Sequence, residues 1–178
     1  MIINFPCFMK YFLITCMLFA SSLLLNAQRT SVFPSPTGFI NDYEGIFTPE
    51  QVKELDFAVK ELLAKTMDID SLKGIEMVVV TVTENMFGDE KEMSGYVTRL
   101  GDKWGVASKG PNKAIIIAYG RKIRKVSIIA GSGLDNILPS SQCHKIVDEK
   151  MAPEFRKGNY YGAILDAVKS IQEYIGLR

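Results

Sequence analysis

The chain is poor in the residues that most often build a catalytic or metal centre. Histidine occurs once, as His144, and cysteine three times. Cys7 and Cys16 lie in an apolar N-terminal stretch, so with that stretch removed Cys143 stands alone and no internal disulfide can form. The adjacent pair Cys143-His144 has no further Cys or His to complete a transition-metal set, and neighbours on a helix point roughly 100° apart. Gly131-Ser132-Gly133 lacks the Gly-x-Ser-x-Gly spacing of a nucleophile elbow, and a serine triad would need His144 folded back onto Ser132. Neither sign of charge dominates, with 21 Lys and Arg against 20 Asp and Glu. No global field therefore argues for nucleic acid as a partner. The one long apolar run, Tyr11 to Leu25, falls short of the roughly 20 residues of a membrane-spanning helix.

What that run does fit is a secretory leader. Lys10 precedes it, and Asn26-Ala27-Gln28 offers a small residue at the break. A signal peptide over 1–27 is expected, with cleavage after Ala27. The alternative is retention of the leader as an anchor or lipid tail. Residues 28–37, polar and with two prolines, read as a linker, and the domain proper as 38–178. The protein is thus expected to be exported, periplasmic or extracellular, with about 150 residues left for one core.

Thr48-Pro49-Glu50-Gln51 is a helix start: an N-cap hydroxyl, proline at the first position and Gln at the capping-box position. Val52, Leu55, Val59, Leu62 and Leu63 then form one apolar stripe. Ile75 to Val82 is a strand apolar enough to be central. A second helix is expected over Glu92–Trp104, with Tyr96, Val97, Leu100 and Trp104 inward. Ala114–Tyr119 and Val126–Ala130 are strands around a basic turn. A helix from about Ser140 to Phe155 contains Pro153 as its point of interruption, and Asn159 opens the last helix. The order α-β-α-β-β-α-α makes the first two strands parallel through a right-handed crossover and the third antiparallel to the second. The expected fold is α/β, a three-layer α/β/α sandwich whose small mixed sheet is flanked by helices.

Asp68-Ile69-Asp70-Ser71 has the look of an aspartyl-phosphate motif, yet it follows a helix and precedes a strand, where that chemistry needs the acid at a strand's carboxyl end. It reads as a solvated loop. Arg121, Lys122, Arg124 and Lys125 form the densest basic cluster, suited either to an anionic surface or to guarding an edge strand. Gly131-Ser132-Gly133 is either an anion cradle of backbone amides or a plain tight turn. Carboxylates recur at Asp42 and Glu44, at Asp135, and at Asp148-Glu149. Hard cations need several oxygens from different segments, and periodicity cannot show whether these converge.

The run Asn41-Asp42-Tyr43-Glu44-Gly45-Ile46-Phe47-Thr48-Pro49-Glu50 resembles the opening motif of the TPM-domain family, the thylakoid acid-phosphatase-like proteins and their exported bacterial relatives. Further resemblances keep the family's order. They are Glu76 to Val82, Asp102-Lys103-Trp104-Gly105-Val106, the paired strands, Gly131-Ser132-Gly133-Leu134-Asp135, and Ile146 to Tyr160. The resemblance implies an α/β/α sandwich that binds a divalent cation, calcium or magnesium, in some members and shows acid phosphatase activity in some. By position it implies a metal set of Asp42, Asn112, Asp135 and Asp148, with no catalytic residue assigned. Two departures thin that set. Pro111-Asn112-Lys113 stands where the family often has Asp-Asn-Gly, and Pro139-Ser140 where it often has Thr-Asp. Each lost carboxylate removes a ligand for a hard ion and a candidate acid or base. The expectation is therefore a binding or accessory protein of the cell envelope with a weak cation site, serving an envelope protein or complex. The runner-up is a metal-assisted phosphomonoesterase. A third reading is an interaction module held near the membrane by a retained leader or the Arg121–Lys125 turn.

Overall fold

The computed structural model describes residues 31–106 and 112–177. The expected leader over 1–27 and the departure at Pro111 lie outside those residues. Four strands form one sheet in the order β1-β2-β3-β4: β1 Ile40–Asp42, β2 Glu76–Thr81, β3 Ala114–Gly120 and β4 Lys125–Ala130. β1, β2 and β3 are parallel, with Asp42, Thr81 and Tyr119 in one row at their carboxyl ends. β4 runs back antiparallel to β3, pairing Gly120 with Lys125 and Ile115 with Ala130.

β1 was not expected. Its segment reads as a loop in the sequence, because three residues are too few to display a period of two. The structure makes it the edge strand that begins the sheet.

Successive side chains of a strand point to opposite faces, and β2 and β3 use both. Met77, Val79, Ile115, Ile117 and Tyr119 join the core on one side; Val80, Ile116 and Ala118 join the other. The first core is closed by α1 (Pro49–Met67), α4 (Ser140–Ile146) and α6 (Tyr160–Tyr174), the second by the single turn α2 (Glu84–Phe87) and by α3 (Met93–Trp104). This is the expected sandwich. Ile115 and Ile117 are fully buried, each worth about 1.5–3 kcal/mol of transfer free energy.

α1 starts as its sequence demands. The Thr48 hydroxyl accepts from Gln51 N–H, and the Gln51 side chain accepts from Thr48 N–H. At the other end Thr66, fully buried, donates to Leu62 O (2.8 Å) and accepts from Ile75 N–H (2.9 Å), tying the helix exit to the entry of β2. The expected break at Pro153 takes a milder form. A π-helical turn, Val147–Met151, joins α4 to α5 (Ala152–Arg156), and Ala152 N–H reaches back to Val147 O. Proline lacks the amide of a normal rung, and its ring crowds the carbonyl four residues back. Widening by one residue per turn relieves that crowding and lets the helical path continue.

The segment read as a linker lies, from Ser31 onward, against the α2–α3 side. Val32 N–H donates to Met86 O, Tyr96 Oη to Val32 O, and Trp104 Nε1 to Pro34 O. Phe33 stacks on Tyr96 with ring centroids 5.4 Å apart. Among the described residues no helix is long and apolar enough to cross a membrane.

Candidate functional site

The carboxyl ends of the parallel strands gather the loop after β1, the loop after β2 and the β3–β4 turn, the place where open α/β sheets usually hold ligands. Asp42, the last residue of β1, faces Thr81, the last of β2. Thr81 Oγ1 donates to Asp42 Oδ1 (2.8 Å) and accepts from Glu44 N–H (2.9 Å), while Asp42 Oδ2 accepts from Phe47 N–H (2.9 Å). The opening motif thereby folds its own loop: an acid, a hydroxyl and two amides form a closed relay just ahead of the α1 cap. Glu44 continues it across the sheet, accepting from Arg121 N–H (2.7 Å) and Lys122 N–H (3.4 Å). This carboxylate fixes the backbone of the basic turn, in which Arg124 adopts a left-handed φ of 52°.

Beside this relay lies a cleft of about 310 Å³ lined by Tyr43, Glu44, Thr83, Glu84, Asn85, Arg121 and Lys122. Its walls carry both signs of charge and several hydrogen-bonding groups, which suits a polar ligand. Behind it Tyr119 stacks on Phe155 at 4.0 Å and on Tyr160 at 5.5 Å, and the Arg121 guanidinium lies 5.9 Å above the Tyr160 ring. Burial, then the neighbouring Tyr160, pushes the Tyr119 hydroxyl up to about 12, so it stays protonated at neutral pH.

The four residues anticipated as metal ligands do not gather here. Asp42 is at the carboxyl end of the parallel strands, whereas Asn112 precedes β3 at their amino end. At about 3.3 Å per residue, β3 alone separates the two levels by about 20 Å. Asp135 shares the Asn112 end, because β4 returns the chain there before the 3₁₀ turn Ser132–Leu134. Asp148 is exposed on the π-helical turn. Asp42 and Asp135 therefore cannot ligate one ion, and the four do not fit a single divalent cation. Among the described residues no group of three or more His, Cys, Asp or Glu is placed to hold a metal.

The glycine corner has a packing explanation. A Cβ on Gly131 would fall 1.8 Å from Asn112 Oδ1, and one on Gly133 would fall 2.8 Å from Asn112 O. Gly131 N–H donates to Ala114 O and Gly133 N–H to Asn112 O (both 2.8 Å), so two of the corner's amides extend the β3–β4 ladder instead of facing an anion. The Cys143 thiol is buried, and that burial raises it to about 11, leaving it an inert core group.

Thr81, central to this edge, was missed from sequence, where it looked like one more β-branched residue of a strand. Glu44 was counted among the recurring carboxylates but given no place in the anticipated set. The signal for Glu44 was its place two residues after Asp42 in the opening motif.

The model of the TPM domain matches residues 40–174. The chain belongs to the TPM-domain family. The solution structure of the N-terminal domain of a P. gingivalis protein is similar over 85% of this chain and 84% of that one, at 24% identity and a TM-score of 0.63. The BA42 protein of the psychrophilic bacterium Bizionia argentinensis is similar over 74% of this chain and 86% of its own, at 13% identity and a TM-score of 0.58. The N-terminal domain of the cg2496 protein of Corynebacterium glutamicum is similar over 83% and 88%, at 14% identity and a TM-score of 0.51. At these identities the likeness is one of fold. Comparison with curated proteins gives no match.

Proposed function

We propose that this TPM domain is an exported binding or accessory module of the cell envelope, and not a metal-assisted phosphomonoesterase. The observation that carries this reading is the state of Asp42. A carboxylate that holds an ion must converge with other oxygen ligands on one point, and one that positions water must be aimed at the reacting group. Both oxygens of Asp42 are engaged by Thr81 and Phe47, and the other acids of the anticipated set lie on other elements. The mixed-charge cleft beside Glu44 is the surface best suited to a polar ligand or a partner's polar segment.

The test is hydrolysis of an aryl phosphate with and without calcium or magnesium. The expected rates equal the metal-independent background. Metal-dependent turnover that disappears in Asp42→Asn or Asp135→Asn would overturn the reading. Export is tested separately by fractionation and mass measurement of the processed chain, with an N-terminus at Gln28 as the expected result.

A further inference from the structure

Among the described residues the sheet ends on one side in a long strand, β4, that has no strand beyond it. In the β3–β4 ladder Gly131 N–H bonds Ala114 O and Gly133 N–H bonds Asn112 O. Residues of an antiparallel strand alternate between facing their partner and facing away, so Lys125, Ser127 and Ile129 bond inward to β3. Val126, Ile128 and Ala130 point their N–H and C=O groups outward. Helices pack against β4, and among the described residues no further strand pairs with that outer line. Every residue of β3 is buried, whereas in β4 only Ile128 is. Between Val126 and Ala130 the strand has no proline and no charged residue; the basic turn and Lys125 guard only its start.

The charges around this edge are polarised. At the turn end Lys122 and Arg124 are exposed, with Lys125 beside them. At the Gly131 end Asp135 is exposed, and Asp102 shares a small cleft with Ile129 and Gly131. Lys113, beside Asn112, is drawn away toward Ser71 O, and Lys103, exposed next to Asp102, is the cation left on α3 at this end.

We propose that β4 pairs with β4 of a second copy of this chain, antiparallel about a two-fold axis at Ile128, giving one continuous sheet across a dimer. In that register Val126 meets Ala130 of the second copy, Ile128 meets its own equivalent, and the outward groups form about six backbone hydrogen bonds. The same axis sets each basic turn beside the other copy's Asp135 corner. Charge complementarity therefore favours a second copy over an unrelated strand. β1, at the opposite edge, is three residues long and offers too little for a further addition. The assembly closes at two copies instead of growing into a filament.

The test is sedimentation of the protein obtained by expressing the full chain, over micromolar to millimolar concentrations. Wild type is expected to show a concentration-dependent monomer–dimer equilibrium, with slower exchange of the Ile128 amide in the dimer. Asp135→Lys and Arg124→Glu alone should each weaken dimerisation by about tenfold, and the double reversal should restore it, because each copy then meets its complement again. A monomer at every concentration overturns the proposal. So does self-association indifferent to both reversals, as contact through a retained leader would be, or a double variant no better than the singles.

Discussion

Replacing Asp42 by Asn separates a structural acid from a ligand. The carboxylate accepts one hydrogen bond from the Thr81 hydroxyl and one from Phe47 N–H. An amide keeps a single accepting oxygen. If that oxygen stays on Phe47 N–H, the new NH₂ faces Thr81, whose hydroxyl already accepts from Glu44 N–H and now loses the acceptor for its own proton. The opposite orientation sets the NH₂ against Phe47 N–H. Either way one hydrogen bond to a charged group is lost, worth about 1.5–3 kcal/mol. Taking about 2 kcal/mol and about 3–4 °C per kcal/mol for a domain of this size, Asp42→Asn should melt about 6–8 °C lower.

Urea unfolding gives the free energy directly, and the slope should not change, since the same surface is exposed on unfolding. Thr81→Val should cost a similar amount, because it removes the donor to Asp42 and the acceptor of Glu44 N–H together. The double variant should show a coupling of about 1 kcal/mol, as groups sharing one network do. A variant Asp42→Asn as stable as wild type, yet deprived of a calcium-induced rise in melting temperature, would refute the relay and make Asp42 a ligand. A ligand bound only to the native state must stabilise it, so the two roles leave opposite signatures.

Thr66→Val keeps the shape of the buried side chain but strands the Ile75 amide, and should cost about 1–3 kcal/mol in urea unfolding. Thr66→Ser keeps that bond and should cost less; the reverse order would show that the methyl, and not the hydroxyl, matters. Glu90 is held below the ordinary carboxylate range by hydrogen bonds from Ser31 and then Arg99. A depressed folded pKa contributes stability above the unfolded value and loses it as pH falls through the folded one. The stability gap between wild type and Glu90→Gln should therefore be full at neutral pH and close in acid below about pH 4. A gap that persists unchanged there would show that Glu90 does not act through its charge.

Much of this fold was legible because its signals are local. The Thr48–Gln51 capping box forms within one turn of backbone, and its geometry is the one the four residues specify. The short Gly120–Lys125 connection forces β4 to reverse, and it does. What escaped was set by contacts distant in sequence. Ile40–Asp42 is a strand only because β2 lies beside it; its own three residues carry no periodic signal. The docking of Val32 and Pro34 on Met86, Tyr96 and Trp104 joins segments more than fifty residues apart, and a proline-containing polar run gives no hint of it.

The placement of the acids was more legible than their pattern suggested, through strand direction and not through motif. A parallel β2–β3 pair followed by a tight reversal returns the chain to the amino end of the sheet, so the corner after β4 had to deliver Asp135 there. Asp42 ends a segment that runs into the cap of α1, and parallel pairing with β2 sends it to the opposite end. Once β1 counts as a strand, a common site for Asp42 and Asp135 is excluded by topology before any side chain is considered. The motif order that places the chain in its family thus records two separate structural junctions. One is the Asp42–Thr81–Glu44 relay, which locks the loops at the carboxyl edge. The other is the Asn112–Gly131–Gly133 contact, which prolongs the β3–β4 ladder and aligns β4, beyond which no described strand pairs.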